Sequence, residues 1–185
     1  MRSASTPRAL FAALLAAVLL SGCASLDESE CLLADFRFLG EEDGEKGRPR
    51  TRINTYESDC GAHGLTVDRQ AYAQGWEVGI VRFCTRDNGY EFGLEGNHYQ
   101  RSCPVELADT FFNAYQLGRA IYDAETEVDR LETLISRFGD KLAKDDLNSE
   151  KRKELREDRE DAKDDLRQAK RDLDDAEDEA RDAGF

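Results

Sequence analysis

Gly40-Glu41-Glu42-Asp43-Gly44-Glu45-Lys46-Gly47 and Gly89-Tyr90-Glu91-Phe92-Gly93-Leu94-Glu95-Gly96 share one spacing, with glycine at the first, fifth and eighth positions. Gly75-x-x-x-Gly79 repeats the first interval, and aromatic residues lie close by in each case. Glycines four apart on a helix leave a flat strip on which another backbone can lie. In lipid this would signal helix dimerisation, but the chain beyond its first 22 residues has no apolar run of about 18 residues with which to cross a bilayer. Each glycine inside a helix costs about 1 kcal/mol relative to alanine, so this many of them points to a geometric need: close packing and tight turns in a small helical domain.

Working outward from the first glycine stretch, Asp27 and Glu30 have the spacing of a capping box and predict a helix through Cys31, Leu32, Asp35, Phe36 and Leu39. Gly40, Gly44 and Gly47 then interrupt it, and Pro49 blocks continuation. A second helix is expected from about residue 50 to His63, with Ile53, Tyr56 and Cys60 on one face and Gly64 as its stop. Asp68 caps a third, in which Tyr72, Gly75, Trp76, Gly79, Ile80 and Phe83 share a face and which ends near Cys84. Asn88-Gly89 is a strong turn signal, so Thr85 to Pro104 reads as an ordered loop or short hairpin. Its Tyr90, Phe92, Gly96 and Tyr99 are the candidate residues for a ligand or glycan surface. Pro104 sits well at a helix start, and Ala108, Phe111, Phe112, Tyr115, Gly118, Ile121 and Tyr122 continue the helical period without a breaker.

From Ile121 the period becomes seven. Ile121, Val128, Ile135 and Leu142 form one series, with Ala124, Leu131 and Phe138 as its companion. A second seam holds Leu155, Ala162, Ala169 and Ala176, accompanied by Leu166, Leu173 and Ala180, and it is out of register with the first. Leu147-Asn148-Ser149 between them contains capping residues. The expectation is a helical hairpin with arms of about Val105–Asp146 and Ser149–Asp182, reaching roughly 60 and 50 Å. A single continuous rod is the competing arrangement. Residues 149–185 carry 25 charged side chains among 37, ten basic and fifteen acidic. This part offers either a solvated face or a surface for a protein partner or a second copy.

The whole chain has 26 Lys and Arg against 40 Asp and Glu, a net charge of −14. Basic residues are interleaved with a larger number of acids, which argues against nucleic acid as a partner. Asp35, Asp43, Asp87 and Glu95, with His63 or His98, are the carboxylates and bases from which an acid/base pair could be drawn. No Gly-x-Ser-x-Gly, His-Glu-x-x-His or phosphate loop accompanies them, so a cell-envelope hydrolase is the least favoured reading, and neither catalysis nor a cofactor is expected.

The first 22 residues read as an address rather than as part of the fold. Arg2 and Arg8 precede an apolar run from Ala9 to Leu20, the length of a signal-peptide core, and Leu20-Ser21-Gly22-Cys23 resembles a bacterial lipoprotein cleavage site. Cleavage before Cys23 would place a diacylglycerol thioether on its sulfur and an acyl chain on the new amino terminus, enough chains for stable anchoring. Ala24 and Ser25 follow, and the lack of Asp at the second mature position resembles lipoproteins forwarded to the outer membrane. Removing this leader takes two arginines with it and leaves a net charge of −16. Lipid on Cys23 also leaves an even set, Cys31, Cys60, Cys84 and Cys103, in an oxidising compartment. Four cysteines allow three connectivities; Cys31–Cys60 with Cys84–Cys103 is preferred because each closes a local loop. Zinc would require reduced thiolates, and only Cys60 and His63 have ligand-like spacing, so no metal site is expected.

Taken together, Cys31-x-x-x-Asp35-Phe36, Gly40-x-x-Asp43-Gly44-x-x-Gly47, Tyr72-x-x-Gly75-x-x-x-Gly79, Cys84-Thr85, Asn88-Gly89-Tyr90, Gly93-x-x-Gly96-x-x-Tyr99, Cys103-Pro104 and Tyr115-x-x-Gly118-Arg119 resemble a family of uncharacterised proteobacterial envelope lipoproteins that carry a domain of unknown function. Phe36 stands where the family pattern has tryptophan. The resemblance implies domain identity and location, and carries no reaction with it. The expected organisation is a leader at 1–22, a lipidated tether at 23–30, an all-α disulfide-stapled domain at 31–122 and a charged coiled-coil hairpin at 123–185. The expected role is non-catalytic: an envelope structural or interaction protein, held at the outer membrane and facing the periplasm. Its partner would be an envelope protein, a second copy through the coiled coil, or, through residues 88–99, peptidoglycan or another glycan.

Overall fold

In the computed structural model residues 25–144 and 146–185 are described, and every regular element among them is helical. The leader and Cys23 lie outside these residues. Among the described residues seven α-helices follow in order: α1 Glu28–Leu33, α2 Phe36–Glu45, α3 Ile53–Gly61 after a 3-10 turn at Arg50–Arg52, α4 Arg69–Phe83, α5 Arg86–Leu94, α6 Val105–Leu142 and α7 Ser149–Asp182.

The capping box at Asp27 and Glu30 is present, but its helix ends at Leu33 instead of running on to Leu39. Asp35 is the reason. Its carboxylate accepts from the backbone N–H groups of Arg37 and Phe38 and so opens a new helix, α2, in a new direction. The expected interruption by Gly40 and Gly44 is also corrected: both lie inside α2, and the chain turns only at Gly47, whose φ is +65°. Gly89 and Gly93, expected in a loop or hairpin, lie inside α5, which Thr85 caps through the Asn88 N–H. Asn-Gly is a turn signal only where the backbone is free to adopt it, and here tertiary packing overrides it.

That packing is backbone against backbone. A Cβ added at Gly40 would fall under 3.0 Å from the Tyr72 carbonyl, and one at Gly75 equally close to the Arg37 carbonyl on the facing helix. Gly44 and Gly79 meet Trp76, Ile80, Glu41 and Glu45 in the same way, so α2 and α4 lie in direct main-chain contact. The arrangement then recurs. Gly89 and Gly93 of α5 press on the Phe111 and Tyr115 carbonyls of α6, and Gly118 presses on Tyr90. Gly47 packs on the Phe83 ring; Gly96, with φ of +70°, packs on the Tyr122 ring.

Residues 40, 44 and 47 thus map onto 89, 93 and 96, a shift of 49, while 72, 79 and 83 map onto 111, 118 and 122, a shift of 39. Even a single hydrogen bond is duplicated. The Trp76 indole N–H donates to the Arg48 carbonyl at 2.8 Å, and the Tyr115 hydroxyl donates to the equivalent Asn97 carbonyl at 3.0 Å. The weak repeat in the sequence is therefore a structural duplication of one glycine-packed helix pair. The first copy is longer between its two helices, where α3 is inserted.

The disulfides are Cys31–Cys60 and Cys84–Cys103. In each copy one bridge ties the chain ahead of the first helix to the chain ahead of the second. The copies meet at Phe83, whose ring lies 5.1 Å from Phe92 and 4.9 Å from Phe111.

Beyond the second copy, α6 continues as one arm of a hairpin and α7 returns along it. The arms are about 57 and 51 Å long at 1.5 Å per residue. The first ends at Leu142, four residues short of the expected Asp146, while the second matches the expected bounds. Ile121 and Leu131 of α6 are buried with Leu155, Ala162, Ala169 and Ala180 of α7. Asn148 caps α7 through the Lys151 N–H, and the Arg152 guanidinium donates to the Leu142 and Lys144 carbonyls, closing the exposed end of α6. These contacts select the hairpin over the continuous rod.

Gly75→Ala and Gly79→Ala should each destabilise the protein by about 3 kcal/mol or more, because a methyl group there must push two backbones apart. Gly139→Ala, inside α6 with nothing within 4 Å of its Cβ position, should stabilise by up to about 1 kcal/mol. Urea melts of the three variants measure the contrast.

Candidate functional site

Among the described residues, the most buried constellation of polar side chains lies where the first helix pair meets α3. Asp43 on α2 is almost fully buried. Its Oδ1 accepts from the Arg48 guanidinium at 2.8 Å; its Oδ2 accepts from the Tyr56 hydroxyl of α3 at 2.9 Å and the Tyr72 hydroxyl of α4 at 2.8 Å. The two phenol rings pack edge to face at 6.0 Å. One carboxylate is thus satisfied by three donors from three segments. An unpaired buried charge would cost several kcal/mol, and here the charge is both paired and hydrogen-bonded.

The electrostatics follow from this enclosure. Burial, then the Asp43 carboxylate beside it, pushes the Tyr72 hydroxyl far above the ordinary tyrosine range. Burial and the same carboxylate raise Tyr56. The hydrogen bond to Asp43 raises Arg48 and keeps it charged. Both phenols are held protonated as donors, and the carboxylate has no open lone-pair direction toward solvent. The cluster is built to hold α2, α3 and α4 together. In the second copy Phe92 and Phe111 occupy the positions of Asp43 and Tyr72, with rings 6.3 Å apart, so an apolar pair does the same work there.

The other carboxylates and bases singled out in the sequence are dispersed. Asp35 is the N-cap of α2. Asp87 is exposed beside Arg86 at 3.8 Å, and Glu95 accepts from the Asn97 amide. His63 faces Glu28 at 3.8 Å, while His98 is exposed in the second copy. Cys60, which had ligand-like spacing with His63, is bonded to Cys31. Among the described residues no three His, Cys, Asp or Glu side chains converge where a metal ion could sit.

Nor does the structure gather Tyr90, Phe92, Gly96 and Tyr99 on one open surface. Tyr99 is buried against Phe111 at 4.7 Å, and Phe92 packs into the same aromatic core. Gly96 is pressed on Tyr122. Tyr90 stacks on Phe185 at 4.1 Å, with the Arg86 guanidinium 3.7 Å from the centre of the same Phe185 ring. One open groove of about 190 Å³ lies between Tyr99, Arg101, Asp109 and Phe112, and contains none of the other three. A larger one of about 560 Å³ runs past Arg50, Asn54, Arg69 and Tyr72, but Arg69 is engaged by Glu57 at 2.7 Å and Arg50 by Glu77 at 3.3 Å.

Residue-by-residue comparison of the two copies explains the contact at Tyr90. Glu41, Glu45 and Arg82 form surface ion pairs across the first helix pair. Their counterparts in the second copy are Tyr90, Leu94 and Ile121, an apolar strip that the end of α7 covers with Ala180 and Phe185. The α7 arm is therefore held at both ends, by the turn at Asn148 and by this strip. The strip could have been found in the sequence by writing the two glycine stretches one above the other.

A family model described as a protein of unknown function, DUF2799, matches residues 35–120. Those residues form a DUF2799 domain. The match begins at the N-cap of α2 and ends within α6, so the DUF2799 domain is the duplicated glycine-packed unit itself, without α1 and without most of the hairpin. Comparison with curated proteins and with solved structures gives no match.

Because unfolded tyrosines ionise near pH 10, whereas Tyr56 and Tyr72 stay protonated in the folded protein, their stabilisation is complete below about pH 10 and is lost as pH rises above it. The loss should approach about 1.4 kcal/mol per pH unit for Tyr72, with a further contribution of the same sign from Tyr56. Urea melts between pH 9 and pH 12 should show a markedly shallower decline for Tyr56→Phe/Tyr72→Phe than for the parent chain.

Proposed function

We propose that this chain is a non-catalytic envelope lipoprotein, anchored through Cys23 at the outer membrane and facing the periplasm, whose DUF2799 domain carries a charged helical hairpin for docking another envelope protein. The observation that carries the reading is the conjunction of Leu20-Ser21-Gly22-Cys23 with four remaining cysteines that all pair with one another. A lipid on Cys23 accounts for the odd fifth cysteine, and two disulfides require an oxidising compartment such as the one beyond the inner membrane. The satisfied, enclosed state of the Asp43 cluster supports a structural rather than a chemical use of its buried polar groups.

The hairpin is the part suited to docking. Its apolar seam is taken up between α6 and α7, so the seam itself is not free for a second copy in this arrangement. What it offers outward is charge, in solvent-accessible ion pairs such as Lys163–Glu160 and Lys170–Glu132. Such pairs contribute little to stability, about 0–1 kcal/mol each, and suit a surface whose partner is chosen by charge pattern.

Two measurements test this. Metabolic labelling with palmitate followed by membrane fractionation should label the protein and place it with the outer membrane, and Cys23→Ser should abolish both; an unlabelled, freely soluble parent protein would sink the anchor. Photo-crosslinking residues at the exposed hairpin positions Ser136, Asp140 and Arg156 should each capture the same envelope protein. Adducts obtained only from the DUF2799 domain, for instance from Gln70, would remove the hairpin from the docking role.

A further inference from the structure

Residues 23–30 were expected to be a lipidated tether, but the first described residues are bound down. The Asp59 carboxylate of α3 accepts from the Ser25 backbone N–H at 2.8 Å, from the Ser25 hydroxyl at 2.6 Å and from the Leu26 N–H at 3.3 Å. The Ser25 hydroxyl bond, followed by these backbone donors, holds the Asp59 carboxyl below the usual carboxylate range, so the mount persists at neutral pH. Asp59 adjoins Cys60, whose disulfide to Cys31 fastens α1 to the same helix. Cys23 precedes Ser25 by two residues, a reach of about 7 Å even when fully extended.

The surface beside this mount is apolar. Leu33 is 86 % exposed, Leu32 64 % and Phe38 62 %. Leu26, Leu33, Ala34, Phe38 and Leu39 line one open groove of about 280 Å³ that begins three residues after Cys23. Singly exposed leucines are ordinary, but Leu33 and Phe38 share this groove with Leu26 beside the Ser25 mount, and with exposed Leu32 next in the chain they form a patch of the kind that marks an interaction surface.

We propose that the Leu32–Leu33–Phe38 face of α1 and α2 is a membrane-contact platform that seats the domain on the bilayer carrying the Cys23 lipid. The proposal rests on the lipoprotein reading given above. With an attachment point no more than about 7 Å from a backbone that is itself hydrogen-bonded to α3, this end of the domain has no slack with which to stand away from the headgroups. The occupant of the patch is therefore the bilayer's own interfacial region rather than a protein inserted between domain and membrane. The acyl chains on Cys23 supply the attachment, and the platform sets an orientation that a loose tether would not. Charge at this end does not supply attraction. Glu30 and Asp35 lie at the groove itself, with Glu28 and Arg37 nearby, so the acids disfavour anionic headgroups and the contact favours zwitterionic lipid.

The test uses the full mature lipoprotein in phosphatidylethanolamine–phosphatidylcholine vesicles containing brominated lipid, with tryptophan introduced singly as L33W, F38W or S136W. All three positions leave the buried core untouched, and the resident Trp76 is buried and common to all samples. The added fluorescence of the L33W and F38W variants should be blue-shifted and strongly quenched by bromolipid, while S136W on the hairpin should report no added quenching. Replacing a fifth of the lipid by an anionic species should leave the quenching unchanged or reduced. In an L33W D59A variant, which unties Ser25, quenching at position 33 should fall severalfold while far-UV circular dichroism stays constant. In the protein without lipid, Leu33→Ser or Phe38→Ser should each lower the vesicle partition coefficient by about tenfold. Vesicle-bound L33W and F38W proteins whose introduced indoles remain unquenched would overturn the platform and leave the anchor standing. A mature protein whose mass shows Cys23 unmodified would overturn the anchor, and the platform with it.

Discussion

Where α2 lies on α4 and α5 lies on α6, the two backbones touch, and everything else in the domain is arranged around that contact. A main chain can approach another so closely only where there is no Cβ, so the glycines at 40, 44, 75 and 79 and at 89, 93 and 118 define both which helices pair and in what register. The contact itself buries little side-chain surface. Stability must then come from the flanks: aromatic rings packed on either side of the glycine strip, disulfides ahead of each helix, and donors that satisfy the Asp43 carboxylate enclosed beside it. A domain of this size whose central contact is made by glycines has reason to be stapled.

Duplication let the two copies solve the same packing problem in different chemistry. The first encloses a carboxylate and two phenols beneath a half-exposed guanidinium and presents ion pairs outward. The second encloses phenylalanines and presents Tyr90, Leu94 and Ile121 outward, an apolar strip that would be a liability if left bare. The return arm of the hairpin covers that strip. The charged tail is thus coupled to the domain: an alanine-rich helix with a thin seam is held by the turn at Asn148 at one end and by the Phe185–Tyr90 stack at the other. Division of the chain at residue 122 cuts through α6 and separates parts that pack on one another.

Much of this was legible beforehand, and the misreadings share a cause. Heptad spacing gave both arms, because a periodic apolar seam over many turns has few alternative structures, while the register break at Leu147-Asn148-Ser149 suggested the return and left a continuous rod as the alternative. Capping residues placed the starts of α1, α4 and α7. The glycines misled at α2 and α5: local propensity marks Gly40, Gly44, Gly89 and Gly93 as breaks, whereas a partner backbone turns the same missing side chains into the reason for a helix. Asp43 was singled out with Asp35, Asp87 and Glu95 as a candidate acid or base, but nothing local distinguishes a buried carboxylate from a surface one, and its enclosure was not legible. The aromatic stretch 90–99 suggested a surface for the same reason, and its rings went to the core, to Tyr122 and to the end of α7.

The sequence by itself determined the helical class, the even cysteine set, the repeat and the two heptad seams of the tail. Each of these depends on spacing along one chain, and spacing survives without coordinates. Tertiary structure alone decided that the glycine stretches are helical, that Asp43 is enclosed by Tyr56, Tyr72 and Arg48, and that Ser25 is fixed to Asp59 beside an exposed apolar face. These depend on which segments approach one another, and that choice is made by backbone contact between residues 22 to 38 apart, where a missing methyl group counts for more than any local preference.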